Sequence, residues 1–205
     1  MKIPSRFLAA AFVVAAFASP AQAHPHVWVT VTSAVVYDAK GAATGVRHAW
    51  KFDDMYSAFA VEGLPQKTKG VFTREDLQGL AEVNITTLKE SDFFTFAKAG
   101  GKDVVFGEAS DYYLDYKDEV LTLNFMLPFK TPVKEKDVSI EVYDPSYFVA
   151  FAFAEKDAVA LVGAPAQCKA AVEAPKEVSK QLSEASFLAG NWGQNFASKI
   201  AVKCP

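Results

Sequence analysis

Residues 26–37 read HVWVTVTSAVVY, residues 38–41 DAKG and residues 42–53 AATGVRHAWKFD. The first run alternates apolar and polar side chains with the period of two that marks a strand with one buried face. A short polar turn follows, and then a second run of the same kind, which together predict a β-hairpin. If Tyr37 pairs with Ala42 around the turn, the numbers of facing residues sum to 79. His26 then faces Asp53 and His48 faces Val31.

Beyond the hairpin the period changes. DMYSAFAVEGL (54–64) has helical spacing at Met55, Phe59 and Leu64, and TREDLQGLAEVNITTLKESD (73–92) has it at Leu77, Leu80, Val83 and Leu88. Thr73 three residues before Asp76 is close to a capping box. After Asp92 the chain becomes mainly β, with strands expected in FFTFAKA, KDVVFGEA, DYYLDYKD, EVLTLNFMLP, VSIEVYD, YFVAFAFA and AVALVG. These are separated by Gly100-Gly101, Lys117-Asp118 and Pro145. A weak helical pattern over 176–188 precedes NWGQNFASKIAVKCP. A hairpin, a helix–loop–helix insertion, many strands and a short C-terminal helix predict an α+β fold with largely antiparallel sheets. Strands and helices do not alternate as in a doubly wound fold.

Upstream, Lys2 and Arg6 lead into an apolar run from Phe7 to Ala18, then Pro20 and Ala21-Gln22-Ala23. This pattern reads as a secretory signal peptide over residues 1–23, too short to span a bilayer and ending in small residues suited to cleavage after Ala23. A periplasmic chain starting at His24 is expected, a single α+β domain over 24–205. Cleavage leaves 19 Lys+Arg against 24 Asp+Glu, a formal net charge of −5. Mild acidity without a basic cluster argues against nucleic acid as a partner. No later apolar run approaches membrane-spanning length, so no membrane insertion is expected after cleavage; the longest, Tyr147 to Ala154, reads as a buried strand. In an exported chain Cys168 and Cys204 are most simply a disulfide, with a two-cysteine soft-metal site as the rival.

The new terminus would present His24-Pro25-His26. An N-terminal histidine offers an α-amine and an imidazole, both able to lose their protons near neutral pH, and His26 adds a second imidazole. Nitrogen donors suit zinc, nickel, cobalt or copper rather than calcium or magnesium. Pro25 has no N–H to surrender, which excludes a site built on its backbone nitrogen. The regular hairpin nominates Asp53 or Asp54 as companion ligands and keeps His48 about 16 Å from His26, so that His48 needs a bulge or fray to join them. Each residue also has a plain structural role open to it. The HPH run can be a cleavage-site flank, His48 a cross-strand polar partner, and Asp53-Asp54 a helix cap.

In GLPQKTKGVFTREDL (63–77), Gly70, Phe72 and Asp76 fall at the glycine, apolar and last-ligand places of an EF-hand loop. Pro65, Lys67 and Lys69 stand where oxygen ligands belong, so no calcium is expected. Nucleophile-elbow, P-loop, dinucleotide and HExxH patterns are missing, and a non-enzymatic role is expected. An oxygen-activating copper brace at His24 is the enzymatic alternative.

AHPHVWV, RHAWKFDDMYSAF, the loop with TREDL, YDPSYFVAF, GAPAQC and the closing VKCP resemble, in this order, the bacterial domain-of-unknown-function 1007 family. The resemblance covers essentially the whole mature chain. It implies a periplasmic component of an ABC-type transport system, associated with inner-membrane transporters of the nickel/cobalt-exporter type that move nickel, cobalt or zinc. His24, His26, His48 and Asp53 match the family's recurrent positions. Many relatives carry an acidic DxDxDG loop where this chain has Pro65, Lys67 and Lys69, so calcium behaviour is not carried over.

Overall fold

The computed structural model describes residues 25–66, 68–175 and 180–205. Residues 1–23, where a signal peptide is expected, together with His24, Lys67 and positions 176–179 of the expected C-terminal helix, lie outside the described residues. Two mostly antiparallel sheets and three helices make up the rest.

The opening hairpin forms from β1 (Val27–Tyr37) and β2 (Ala43–Phe52), paired antiparallel. Its register differs from the expected one. Val29 faces Phe52 and Ser33 faces His48, a sum of 81 rather than 79. The turn explains the shift: the Asp38 carboxylate accepts from the amides of Lys40 and Ala42, Gly41 takes a left-handed φ of 73°, and the ladder bulges between Val36 and Tyr37. A shift of two leaves every side chain on its expected face, because faces alternate with period two.

In the first sheet, β5 (Ser110–Lys117) and β6 (Val120–Val133) extend the hairpin in the order β5-β6-β2-β1. On the other side of β1 run β8 (Val149–Phe153) and β9 (Val159–Val162), one after the other and both parallel to it. The expected buried strand over 147–154 is instead half-exposed β8, with Phe148 before it 46% exposed. The second sheet has the order β10 (Lys169–Glu173), β11 (Lys199–Lys203), β7 (Asp137–Val142), β3 (Thr95–Ala99), β4 (Lys102–Val104). One apolar core joins the inner faces: Val31, Trp50, Leu123 and Phe125 from the first sheet, Ala97, Ile140 and Ile200 from the second. Burying each large side chain contributes about 1.5–3 kcal/mol.

Helix α1 (Asp54–Val61) starts at Asp53 and turns Ser57 and Val61 inward. Met55 and Phe59, expected to face inward, are 69% and 74% exposed. The helix is apolar nearly all round, so spacing alone does not fix its phase, and the Ser57 hydroxyl accepting from the Leu121 amide does. Helix α2 (Arg74–Lys89) opens with the full Thr73–Asp76 capping box and buries Leu77 and Ala81, leaving Val83 exposed. Arg74 pairs with Asp115 on β5 at 2.9 Å and lies 3.7 Å over the Tyr113 ring. Helix α3 spans Lys180–Leu188.

Two fastenings close the C-terminal part. Cys168 and Cys204 form a disulfide directly beyond the Lys169–Lys203 pair, which displaces the soft-metal alternative for those residues. The 144–148 turn also locks against the segment after α3. The Gly193 amide donates to the Pro145 carbonyl, and a Cβ on Gly193 would sit 1.8 Å from the Asp144 carbonyl oxygen.

Candidate functional site

The described end of the HPH run enters the fold at the tip of β1, between two neighbours. On one flank the His26 amide donates to the Phe148 carbonyl at 2.8 Å, and the two rings pack with centroids 4.7 Å apart. On the other flank Asp53 reaches across. Its Oδ2 accepts from the Trp28 amide at 2.8 Å, its own amide donates to the Trp28 carbonyl at 3.0 Å, and its Oδ1 accepts from the Tyr56 amide at 2.9 Å. Asp53 is therefore the N-cap of α1 and a main-chain partner of β1 at once. Burial, and then the Asp53 carboxylate nearby, push the Tyr56 phenol above its usual range. Asp54 sits exposed in the first turn of α1, where a negative charge suits the helix dipole.

His26 and Trp28 share the outer face of the first sheet, since Val29, Val31 and Val35 take the inner one. With Trp28 facing Asp53, His26 lies two residues further toward the terminus than the ladder position of Asp53. The structure thus gathers His26, Asp53 and Asp54 at one end of the sheet. Among the described residues, no three His, Cys, Asp or Glu side chains form a group able to hold a metal ion. His24, the remaining expected donor, is outside them.

His48 belongs to a different environment. It faces Ser33, seven residues along β1 from His26, or about 23 Å at 3.3 Å per residue. Its ring is fully buried in the core between Trp50 and Phe125. Nδ1 lies 2.8 Å from the Ser33 hydroxyl, and Nε2 lies 3.5 Å from the Thr95 hydroxyl on the opposite sheet. Thr95 gives its proton to the Phe93 carbonyl at 2.8 Å, so its oxygen is left to accept. That assigns the His48 proton to Nε2 and makes Nδ1 the acceptor for Ser33. Burial drives its pKa down to about 3, and the ring is neutral at ordinary pH. His48 and His26 are not brought together, and ligands of one ion must converge within about 5 Å.

Sequence reasoning missed Phe148, whose place beside His26 depends on β8 running parallel to β1 from far along the chain. It also missed Ser33 and Thr95, the partners of His48; the inward phase of Ser33 in the alternating run was the available signal. Asp144, just before β8, is 6% exposed and holds its own turn, accepting from the Ser146 amide and hydroxyl and from the Val149 amide.

Fold and site define a disulfide-bonded protein of two mostly antiparallel sheets whose N-terminal strand is fastened at its tip. Residues 9–204 match the family described as "Protein of unknown function (DUF1007)", and the chain belongs to that family. It is also similar to an uncharacterized protein of Haemophilus influenzae (strain ATCC 51907 / DSM 11121 / KW20 / Rd), 24% identical over 193 residues that cover 89% of this chain and 91% of the relative. Among the described residues no helix is long and apolar enough to cross a membrane. The Cys168–Cys204 bond is compatible with an oxidising compartment such as the periplasm.

Proposed function

We propose that this protein is a periplasmic, non-enzymatic transition-metal-binding accessory that captures or delivers zinc, nickel or cobalt for an inner-membrane transporter of the nickel/cobalt-exporter type. The observation that carries the reading is the placement of His26. It is exposed at the tip of β1, on the segment that a cleavage after Ala23 would make the mature terminus. His24, through its imidazole and α-amine, and His26 supply the nitrogen donors; Asp54 stands nearby as an oxygen donor. His48, neutral and enclosed in the core, has no part in this site. Calorimetric titration of correctly processed protein with Zn²⁺, Ni²⁺ and Co²⁺ tests the proposal. Binding tighter than about 10 μM, or 7 kcal/mol, is expected, with loss in His24→Ala and His26→Ala. Weaker binding, or binding indifferent to both substitutions, contradicts it.

A second reading, a metal-independent interaction module for a membrane partner, is favoured by large apolar side chains left in solvent around the same end: Trp28 (49% exposed), Met55, Phe59 and Phe148. It expects partner capture to persist in chelator and to fall with Phe59→Ser, whereas the metal reading expects capture to depend on the ion.

A further inference from the structure

The strand that begins as β4 changes partners along its length. Its first part pairs with β3 as far as Ala97 and Val104. From Val105 the chain joins β6 instead. The Val105 carbonyl accepts from the Lys130 amide, the Gly107 amide donates to the Pro128 carbonyl, and Phe106 bridges to Phe129. A fork therefore opens between the start of β3, at Thr95 and Phe96, and the segment 105–107. It holds a cavity of about 600 Å³, within the range of small-molecule sites, lined by Phe93, Phe96, Val104 and Phe106.

Main-chain groups face this fork. Successive residues of a strand direct their amides and carbonyls to alternate sides. Val105 and Gly107 turn theirs toward β6, so the Phe106 amide and carbonyl turn toward β3. Across the fork, the Phe94 carbonyl accepts from the Tyr143 amide of the β7 side, so the Thr95 carbonyl turns toward Phe106. No bond closes between Thr95 and Phe106, and strand groups sheltered from water call for partners. The turn leading into β3 carries strain: Asp92, Phe93 and Phe94 have φ of 49°, 52° and 46°, a left-handed conformation that bulky residues rarely adopt. Such strain gathers at ligand sites.

The charges around the cavity are mostly matched. Lys89 pairs with Glu108, and Lys98 with Asp103. Among the described residues, Lys130 and Asp92 make no ion pair. They stand on opposite walls: the Lys130 amide is bonded to Val105, whereas the Asp92 carbonyl accepts from the Thr95 amide. A cation and an anion across an apolar cavity, with a free amide on the first wall and a free carbonyl on the second, complement a small zwitterion. We infer that the fork is a binding site for apolar α-amino acids. The ligand carboxylate meets Lys130 and the Phe106 amide, its ammonium meets Asp92 and the Thr95 carbonyl, and its side chain lies among the phenylalanines. This site shares no residue with the proposed metal site and stands or falls independently of it.

Titration of ¹⁵N-labelled protein with L-phenylalanine and L-leucine, followed at the Phe106 amide, tests the inference. N-acetyl-L-phenylalanine, which lacks the ammonium, and L-phenylalaninamide, which lacks the carboxylate, serve as comparisons. The amino acids are expected to shift the Phe106 signal with a dissociation constant of about 1 mM or tighter, and each analogue to bind about tenfold more weakly. Lys130→Met should weaken L-phenylalanine about tenfold and leave L-phenylalaninamide unchanged. Asp92→Asn should weaken L-phenylalanine similarly and leave N-acetyl-L-phenylalanine unchanged. Both side chains are exposed, and asparagine tolerates the left-handed backbone at position 92, so both variants should fold. No shift at Phe106 up to about 10 mM of either amino acid overturns the inference. Analogues that bind as well as L-phenylalanine, or variants that weaken all three probes alike or none, overturn it too.

Discussion

His26 and His48 ride on adjacent strands of one hairpin and have opposite surroundings. His48 occupies an inner position of β2, enclosed by Trp50 and Phe125 and hydrogen-bonded toward both sheets. His26 occupies an outer position at the tip of β1, exposed and packed on Phe148. Burial has consumed the proton chemistry of the first, since a ring held to a pKa of about 3 is a hydrogen-bonding wedge between sheets. The second keeps the solvent access that a metal donor needs. Residue type alone does not separate them; the face of the strand and the distance from its end do.

The comparison can be broken at the core first. The neutral, buried His48 takes up its proton only near pH 3, while in the unfolded chain it does so near pH 6.5. Between these values the unfolded state binds more protons, so stability rises with pH and is lost as pH falls from about 6.5 to 3. The full difference is roughly 4 to 5 kcal/mol. Denaturant midpoints measured across that range should show this slope, and His48→Leu should remove most of it.

The next effect concerns the C-terminal fastening, remote from either histidine. Cys204→Ala opens a loop of 36 residues and is expected to cost about 4 kcal/mol in the chain-entropy account, measured by urea unfolding. Metal affinity at the terminus should not change.

Asp53→Ala removes the α1 cap and the Trp28 acceptor together, and about 1–2 kcal/mol of stability should go with them. Thermal melting reads it, and Asp53→Asn should recover most of the helix share. Smallest is His26→Ala, expected within about 0.5 kcal/mol of the native protein in stability, because the hydrogen bond that the residue 26 amide donates to the Phe148 carbonyl does not involve the side chain. If His26→Ala destabilises as strongly as a core substitution, the contrast between rim and core fails.

Much of this was open to reading in the sequence. The period of two in 26–53 predicts the hairpin and puts His48 and Trp50 on one face, and it survives the register shift because that shift is even. The shift itself was hidden, since it arises from Asp38 bonding two amides of its own turn and from a bulge. The Asp53 cap and the Thr73–Asp76 box follow local rules and were legible. The facing of α1 was not, because eight nearly all apolar residues carry no phase until packing imposes one. Strands β10 and β11 went unpredicted; they are five residues each and depend on one another and on β7. The neighbours of the β1 tip divide in the same way: Asp53 comes from the hairpin itself, whereas Phe148 arrives by a parallel crossover that no local pattern announces.

The proposed metal chemistry belongs to the rim histidines and not to the core one. Imidazole nitrogen resonances of correctly processed, ¹⁵N-labelled protein, followed as Zn²⁺ is added, test it most directly. The signals of His24 and His26 should move and saturate together, while His48 stays a neutral Nε2–H ring throughout. A shift at His48, or no shift at His24 and His26, would contradict it.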